Sequence, residues 1–215
     1  MQKCRGTACV AVPRYKAAGA ACIGVSLRNA GHIRRRDTGG EPRSNAEEWR
    51  MPAEKTDFDY MQEAIALARE AAAAGEIPVG ALVTDRETGE ILGRGRNRRE
   101  QDGSPTAHAE ILALEAAAKK RGTWRLSGCN LYVTLEPCPM CAGAILNAQI
   151  DRVIFGAYDP RAGAVCSVTE LFSLPFIRRP RVTAGLLEDP CSALLTGFFR
   201  SLREEEPAAP PERKI

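Results

Sequence analysis

Cys138-Pro139-Met140-Cys141 constrains this chain more than any other four residues. The two cysteines stand at i and i+3, on one face of a single helical turn. Pro139 suits the first helical position, which makes Cys138 the cap. Both sulfurs then lie near the positive end of a helix dipole, which lowers thiol pKa and favours the thiolate that binds metal. Upstream, Pro105-Thr106-Ala107-His108-Ala109-Glu110 opens a second helix. The chain has only two histidines, His32 and His108, so His-dependent chemistry in its centre falls to His108. One imidazole and two thiolates are borderline-soft ligands that suit zinc. Three protein ligands leave a fourth position open, the layout of a catalytic zinc. Glu110 does not share the direction of His108, but it can border the same pocket. A carboxylate there can take a proton from a metal-activated water and deliver it to a substrate.

Two other readings of the cysteine pair fit the sequence less well. A redox dithiol would not need His108 and Glu110 upstream. A structural zinc would want a fourth ligand. Cys129 and Cys166 are the nearest spare thiols, and neither stands at ligand spacing.

Hydrophobic residues make up 44% and charged residues 27% of the 215, which excludes a wholly disordered or fibrous chain. No apolar run is long enough for a transmembrane helix. The net charge of +3 hides a split. Residues 1–56 carry 11 Lys and Arg against 5 acids, whereas residues 57–203 carry 17 against 18. The basic excess therefore says little about what the central region binds, and any nucleic-acid contact must rest on local clusters. Eight cysteines in a chain of this length read as metal ligands and free thiols rather than disulfides. That usage suits a reducing compartment and a cytoplasmic location.

Residues 1–55 read as an N-terminal extension outside the fold. Ala17 to Leu27 has the look of a short signal-peptide apolar core, without a clear cleavage pattern. An acid-poor transit peptide is a second reading, and a disordered tail, or initiation at Met51, is the one favoured. Residues 56–203 read as the domain and 204–215 as a disordered tail. Thr56 with Asp59 forms a capping box opening a helix that runs to Gly75. Strands are expected at Val79–Thr84, Ile91–Asn97, Leu131–Leu135, Val153–Ala157 and Arg181–Leu186. The first two are joined by a turn at Asp85–Glu90. Helices are expected at Ala107–Lys120, Pro139–Ala148 and Ser192–Leu202, with a loop around Gly103 and Pro105. This order indicates an α/β fold, a three-layer α/β/α sandwich around a mixed five-stranded sheet.

The pattern H-x-E … P-C-x-x-C matches the signature of zinc nucleobase deaminases, in which the glutamate is not a ligand. At these residues the chain resembles the cytidine/deoxycytidylate deaminase superfamily, most closely the bacterial tRNA-specific adenosine deaminases. The likeness is carried by Ile77-Pro78-Val79-Gly80-Ala81, Arg96-Asn97-Arg98, Pro105 to Ile111, Leu131 to Cys138, Met140 to Ala144, Phe155-Gly156-Ala157, and the run from Ala193 through Phe198-Phe199-Arg200. It covers about residues 57–203 and excludes both ends. The order of these motifs, with the double phenylalanine, is more specific than the metal motif alone.

The resemblance implies a cytidine deaminase-like fold and hydrolytic deamination of the wobble adenosine to inosine in a tRNA anticodon. It implies one Zn2+ per subunit on His108, Cys138 and Cys141, with Glu110 as the proton shuttle. Asn97 aligns with the family's pocket asparagine, whose amide can donate and accept; its plainer role is to close a strand end. Ala109 is carried over as a substrate contact. Asp159 lies in Tyr158-Asp159-Pro160-Arg161, which resembles the family's substrate loop. A carboxylate facing a ribose 2′-OH would help choose RNA, whereas the plainer role is an Asx turn. The family also implies a homodimer that takes the tRNA anticodon stem-loop. Arg94, Arg96 and Arg98 alternate and so share a strand face. Arg178, Arg179 and Arg181, and Arg200 with Arg203, form further clusters that could meet phosphates or simply face solvent. One departure is Ile177-Arg178-Arg179, where the family usually has an Asn-His-Arg-like stretch. The competing readings are a free-base or nucleoside deaminase of guanine or cytosine type, and a non-catalytic zinc-dependent RNA-binding module. An intact Glu110 counts against the last.

Overall fold

The computed structural model describes residues 55–205. Nearly all of the expected extension, with the apolar run at Ala17–Leu27, and the tail beyond residue 205 lie outside the described residues.

Helix α1 spans Asp57–Ala73 and begins with the expected capping box. The Thr56 amide donates to Asp59 Oδ2 at 2.8 Å, and the Asp59 amide donates to Thr56 Oγ1 at 3.4 Å. Met61, Ala64, Ile65 and Ala68 recur at helical spacing and form its fully buried face. Strands β1 (Gly80–Asp85) and β2 (Ile91–Arg96) form the expected hairpin. Asp85 closes its turn by accepting from the amides of Glu87 and Thr88. The loop expected before the next helix contains a short helix, α2 (Arg99–Asp102), ended by Gly103 in the left-handed conformation. Helix α3 spans Ala109–Arg121, β3 Cys129–Leu135, α4 Pro139–Ala148 and β4 Arg152–Ala157. A 3-10 turn at Leu171–Ser173 follows, not foreseen from the sequence.

Strand β5 covers Arg181–Ala184, shorter than expected, because Gly185 takes φ 79° and leaves the extended region. Helix α5 covers Glu188–Glu205, longer at both ends than expected. Pro190 lies in its first turn, where a missing N–H costs no helical bond.

The sheet order is β2-β1-β3-β4-β5, with β2, β1 and β3 antiparallel and β3, β4 and β5 parallel. Residues of α3 and α4 pack with Val79, Val83, Leu131, Val133, Val153 and Phe155 on one face. Residues of α1 and α5 pack with Leu82, Tyr132 and Ile154 on the other. This is the expected mixed five-stranded α/β/α sandwich. The Ile91-Leu-Gly-Arg-Gly-Arg96 alternation has a steric cause. A Cβ at Gly93 or Gly95 would overlap the backbone of α3 at Ala113 and Ala117, or at Ala109 and Ala113. The glycines let α3 lie directly on β2, which fixes where α3 begins.

Candidate active site

His108 is the N-cap of α3 and Cys138 the N-cap of α4, and neither side chain makes a capping hydrogen bond. Both are therefore free to turn toward each other. His108 Nδ1 lies 3.5 Å from Cys141 Sγ and 3.8 Å from Cys138 Sγ. The ligand atoms of these three residues all lie within 4.8 Å of one another, the spacing of a cup that can hold an ion. The bond from Cys141 pulls Cys138 down to about 4, helped by His108. The same bond, with burial, pushes Cys141 up. His108 is raised by its bond to Cys138. An imidazole nitrogen and two sulfurs at paired helix N-termini fit zinc, and a bound dication would displace any thiol proton.

Glu110 sits in the first turn of α3 and is 4% exposed. Burial pushes its carboxyl up to about 7. It thus borders the cup as a buried carboxyl outside the ligand set.

Asn97 follows β2 and is buried. Its amide N–H donates to Val79 O at 3.0 Å, so it does close the strand end. Its side-chain Nδ2 donates to Glu76 Oε2 at 3.1 Å. Glu76, itself buried, also accepts from the Gln101 amide at 2.8 Å. A carboxylate only accepts, so it fixes which end of the Asn97 amide faces away from it. Sequence reasoning missed Glu76. The available signal was a lone acid directly ahead of the apolar run Ile77-Pro78-Val79.

Ala109 is fully buried within the core, in the first turn of α3. Asp159 Oδ1 accepts from the amides of Arg161 and Ala162 at 3.0 and 3.2 Å, which is the Asx turn. The same residue lines a cavity of about 620 Å³ with Tyr158, Arg161, Leu195, Phe199 and Arg203. The Arg94–Arg98 series is largely engaged within the chain. Arg94 pairs with Glu63 on α1, Arg96 donates to Gln101 Oε1, and Arg98, beyond the end of β2, pairs with Asp102. Arg178, Arg179 and Arg181 line a separate hollow of about 430 Å³ together with Arg86 and Asp151. Cys129, Cys138, Cys141 and Cys191 are free thiols. Cys129 faces Arg121 and belongs to the core, outside the ligand cup.

The sequence pattern of the family described as the cytidine and deoxycytidylate deaminase zinc-binding region matches residues 54–157. The tRNA-specific adenosine deaminase of Bacillus subtilis (strain 168) is 46% identical over 153 residues, 70% of this chain and 92% of that protein. A solved structure from a study of A-to-I editing by tRNA:A34 deaminases superposes with a TM-score of 0.60 at 42% identity, covering 63% of this chain and 98% of the other. A guanine deaminase from Nitrosomonas europaea also superposes at 0.60, with 29% identity over 66% of this chain and 84% of its own. The fold and cup thus define a zinc-dependent deaminase of the cytidine deaminase class. Within that class, the chain belongs to the family of tRNA-specific adenosine deaminases.

Proposed function

We propose that this protein hydrolyses adenosine to inosine at the wobble position of a tRNA anticodon, releasing ammonia. The observation that carries the reading is a buried carboxyl, Glu110, beside a cup that three ligands form among the described residues, His108, Cys138 and Cys141. Zinc held there would supply a Lewis acid that lowers the pKa of a water to about 7. Glu110 would take a proton from that water as its oxygen adds to C6 of adenine and pass it to N1, which receives the electron pair of the C6=N1 bond. It would then move the remaining hydroxyl proton to the exocyclic amine, so that the C6–N bond breaks as C6=O forms and neutral ammonia leaves. Asn97, held by Glu76, presents its amide to the nucleoside. Ala109 and Asp159 complete the substrate contacts.

The partner is the tRNA anticodon stem-loop, bound by a homodimer in the cytoplasm. The apolar hollow between α3 and α4 supports the dimer. It is lined by Ile111, Leu114, Trp124, Leu126, Ala144 and Ala148, with Trp124 54% exposed. Among the described residues no helix is long and apolar enough to cross a membrane. Residues 56–203 carry the activity; residues 1–55 and 204–215 stand outside it. Support for RNA over a free base comes from the long match to a tRNA-specific relative, which exceeds the guanine deaminase likeness in identity. Incubating the purified protein with deacylated tRNA, free guanine, cytosine and adenosine tests this. Inosine from tRNA with ammonia release is expected. Ammonia from free guanine or cytosine alone would replace this reading with the free-base one, and neither product would leave a zinc-dependent binding module.

A further inference from the structure

Glu136 directly follows β3, two residues before Cys138, and is 2% exposed. Five donors converge on it. Its Oε1 accepts from the amides of Val165, Cys166 and Ser167 at 3.0, 2.6 and 2.9 Å. Its Oε2 accepts from the Asp159 amide at 3.1 Å and from the Ser167 hydroxyl. The loop closes on itself around this group, with Gly163 N donating to Asp159 O and Ala164 N donating to Pro137 O. A Cβ at Gly163 would overlap the Glu136 carboxylate, so only glycine lets the chain wrap this closely. A carboxylate so fully engaged has no lone pair left to shuttle protons, yet it joins the turn bearing Cys138 to the rim of the cavity at Tyr158–Arg161.

We propose that Glu136 is a positioning residue that sets where Asp159 stands and thereby couples the metal-bearing turn to tRNA binding. This rests on the reading of Asp159 as a substrate contact. The two oxygens are unequal, and that makes the role testable. In Glu136→Gln the single amide oxygen serves the three-donor side best, which puts the NH2 against the Asp159 amide and the Ser167 hydroxyl. A hydroxyl can turn and accept, but a peptide N–H cannot. Asp159 alone therefore loses its partner, a charge-assisted bond of the stronger kind.

The test compares wild type with Glu136→Gln, Asp159→Ala, the double variant and Gly163→Ala, each in the zinc-loaded full chain. Amide exchange followed by NMR should show the Asp159 N–H of Glu136→Gln exchanging about tenfold faster, while Val165, Cys166 and Ser167 stay protected. Zinc should remain at full occupancy. KM for tRNA should rise about tenfold with kcat little changed, and the double variant should be no worse than the worse single. Gly163→Ala pushes the loop off an intact Glu136 and should raise KM likewise; it carries the test if Glu136→Gln does not fold. Unchanged Asp159 exchange, loss of zinc, or KM effects that multiply in the double variant each overturn the proposal. If wild type forms no inosine from tRNA, the functional reading fails separately, and the exchange data still decide whether Glu136 holds Asp159.

Discussion

Glu110 and Glu136 are the same residue type, are both buried, and lie two residues from His108 and Cys138 respectively. Their surroundings make them opposites. Glu136 faces five donors and is an anchor. Glu110 lies in the first turn of α3, and burial lifts its pKa to about 7, toward the range in which a group both takes and gives protons. Burial alone does not make a carboxyl catalytic; the number of donors aimed at it decides. Glu76 belongs with Glu136, accepting from Asn97 and Gln101.

The largest effect expected breaks the cup that both carboxyls flank. Cys138→Ala leaves two ligands, so metal analysis should find zinc lost and inosine formation abolished; full occupancy in that variant would show the ligands are misassigned. Glu110→Gln sharpens the contrast most. The near-isosteric amide should keep zinc, fold and tRNA affinity, while single-turnover deamination falls by at least about a thousandfold. A rate within about tenfold of wild type would put Glu110 in the anchoring class beside Glu136. Glu76→Gln tests the anchoring side. Its amide can offer an NH2 to Asn97, so the Asn97 amide can turn over. The expected loss is about tenfold in kcat/KM on tRNA, at full zinc content. The smallest effect is expected from a chain beginning at Met51, since the family match starts at residue 54 and α1 at Asp57. Its thermal midpoint and deamination rate should equal those of the full chain, and aggregation or lost activity would tie residues 1–50 to the fold.

How far the sequence could be read follows from the range of the contacts. Cys138 and Cys141 were legible as a pair because they sit within one helical turn, whereas joining them to His108 and Glu110 rested on the H-x-E … P-C-x-x-C signature. The mixed sheet and the α/β/α layering followed from the alternation of elements. Glu76 and Glu136 were not legible as anchors, because their partners lie 21 to 31 residues away and are mostly backbone amides, which every sequence contains. The arginine alternation on β2 was visible, but the pairing of Arg94 with Glu63 was not, since α1 meets β2 only in the fold; Gln101 and Asp102 lie close in sequence, in a stretch read as loop. Asp159 was read two ways, and the geometry supplies the Asx turn while leaving the residue at the cavity rim.

The glycines at 93 and 95 touch no ligand, yet α3 rests on them and His108 caps α3. Metal affinity in this protein is therefore partly written in missing atoms. A methyl group added beneath the helix would act as a shim, tilting the imidazole away from two sulfurs held on a separate helix. Engineering that searches only the polar neighbours of the zinc cup would overlook the floor on which one of its three walls stands.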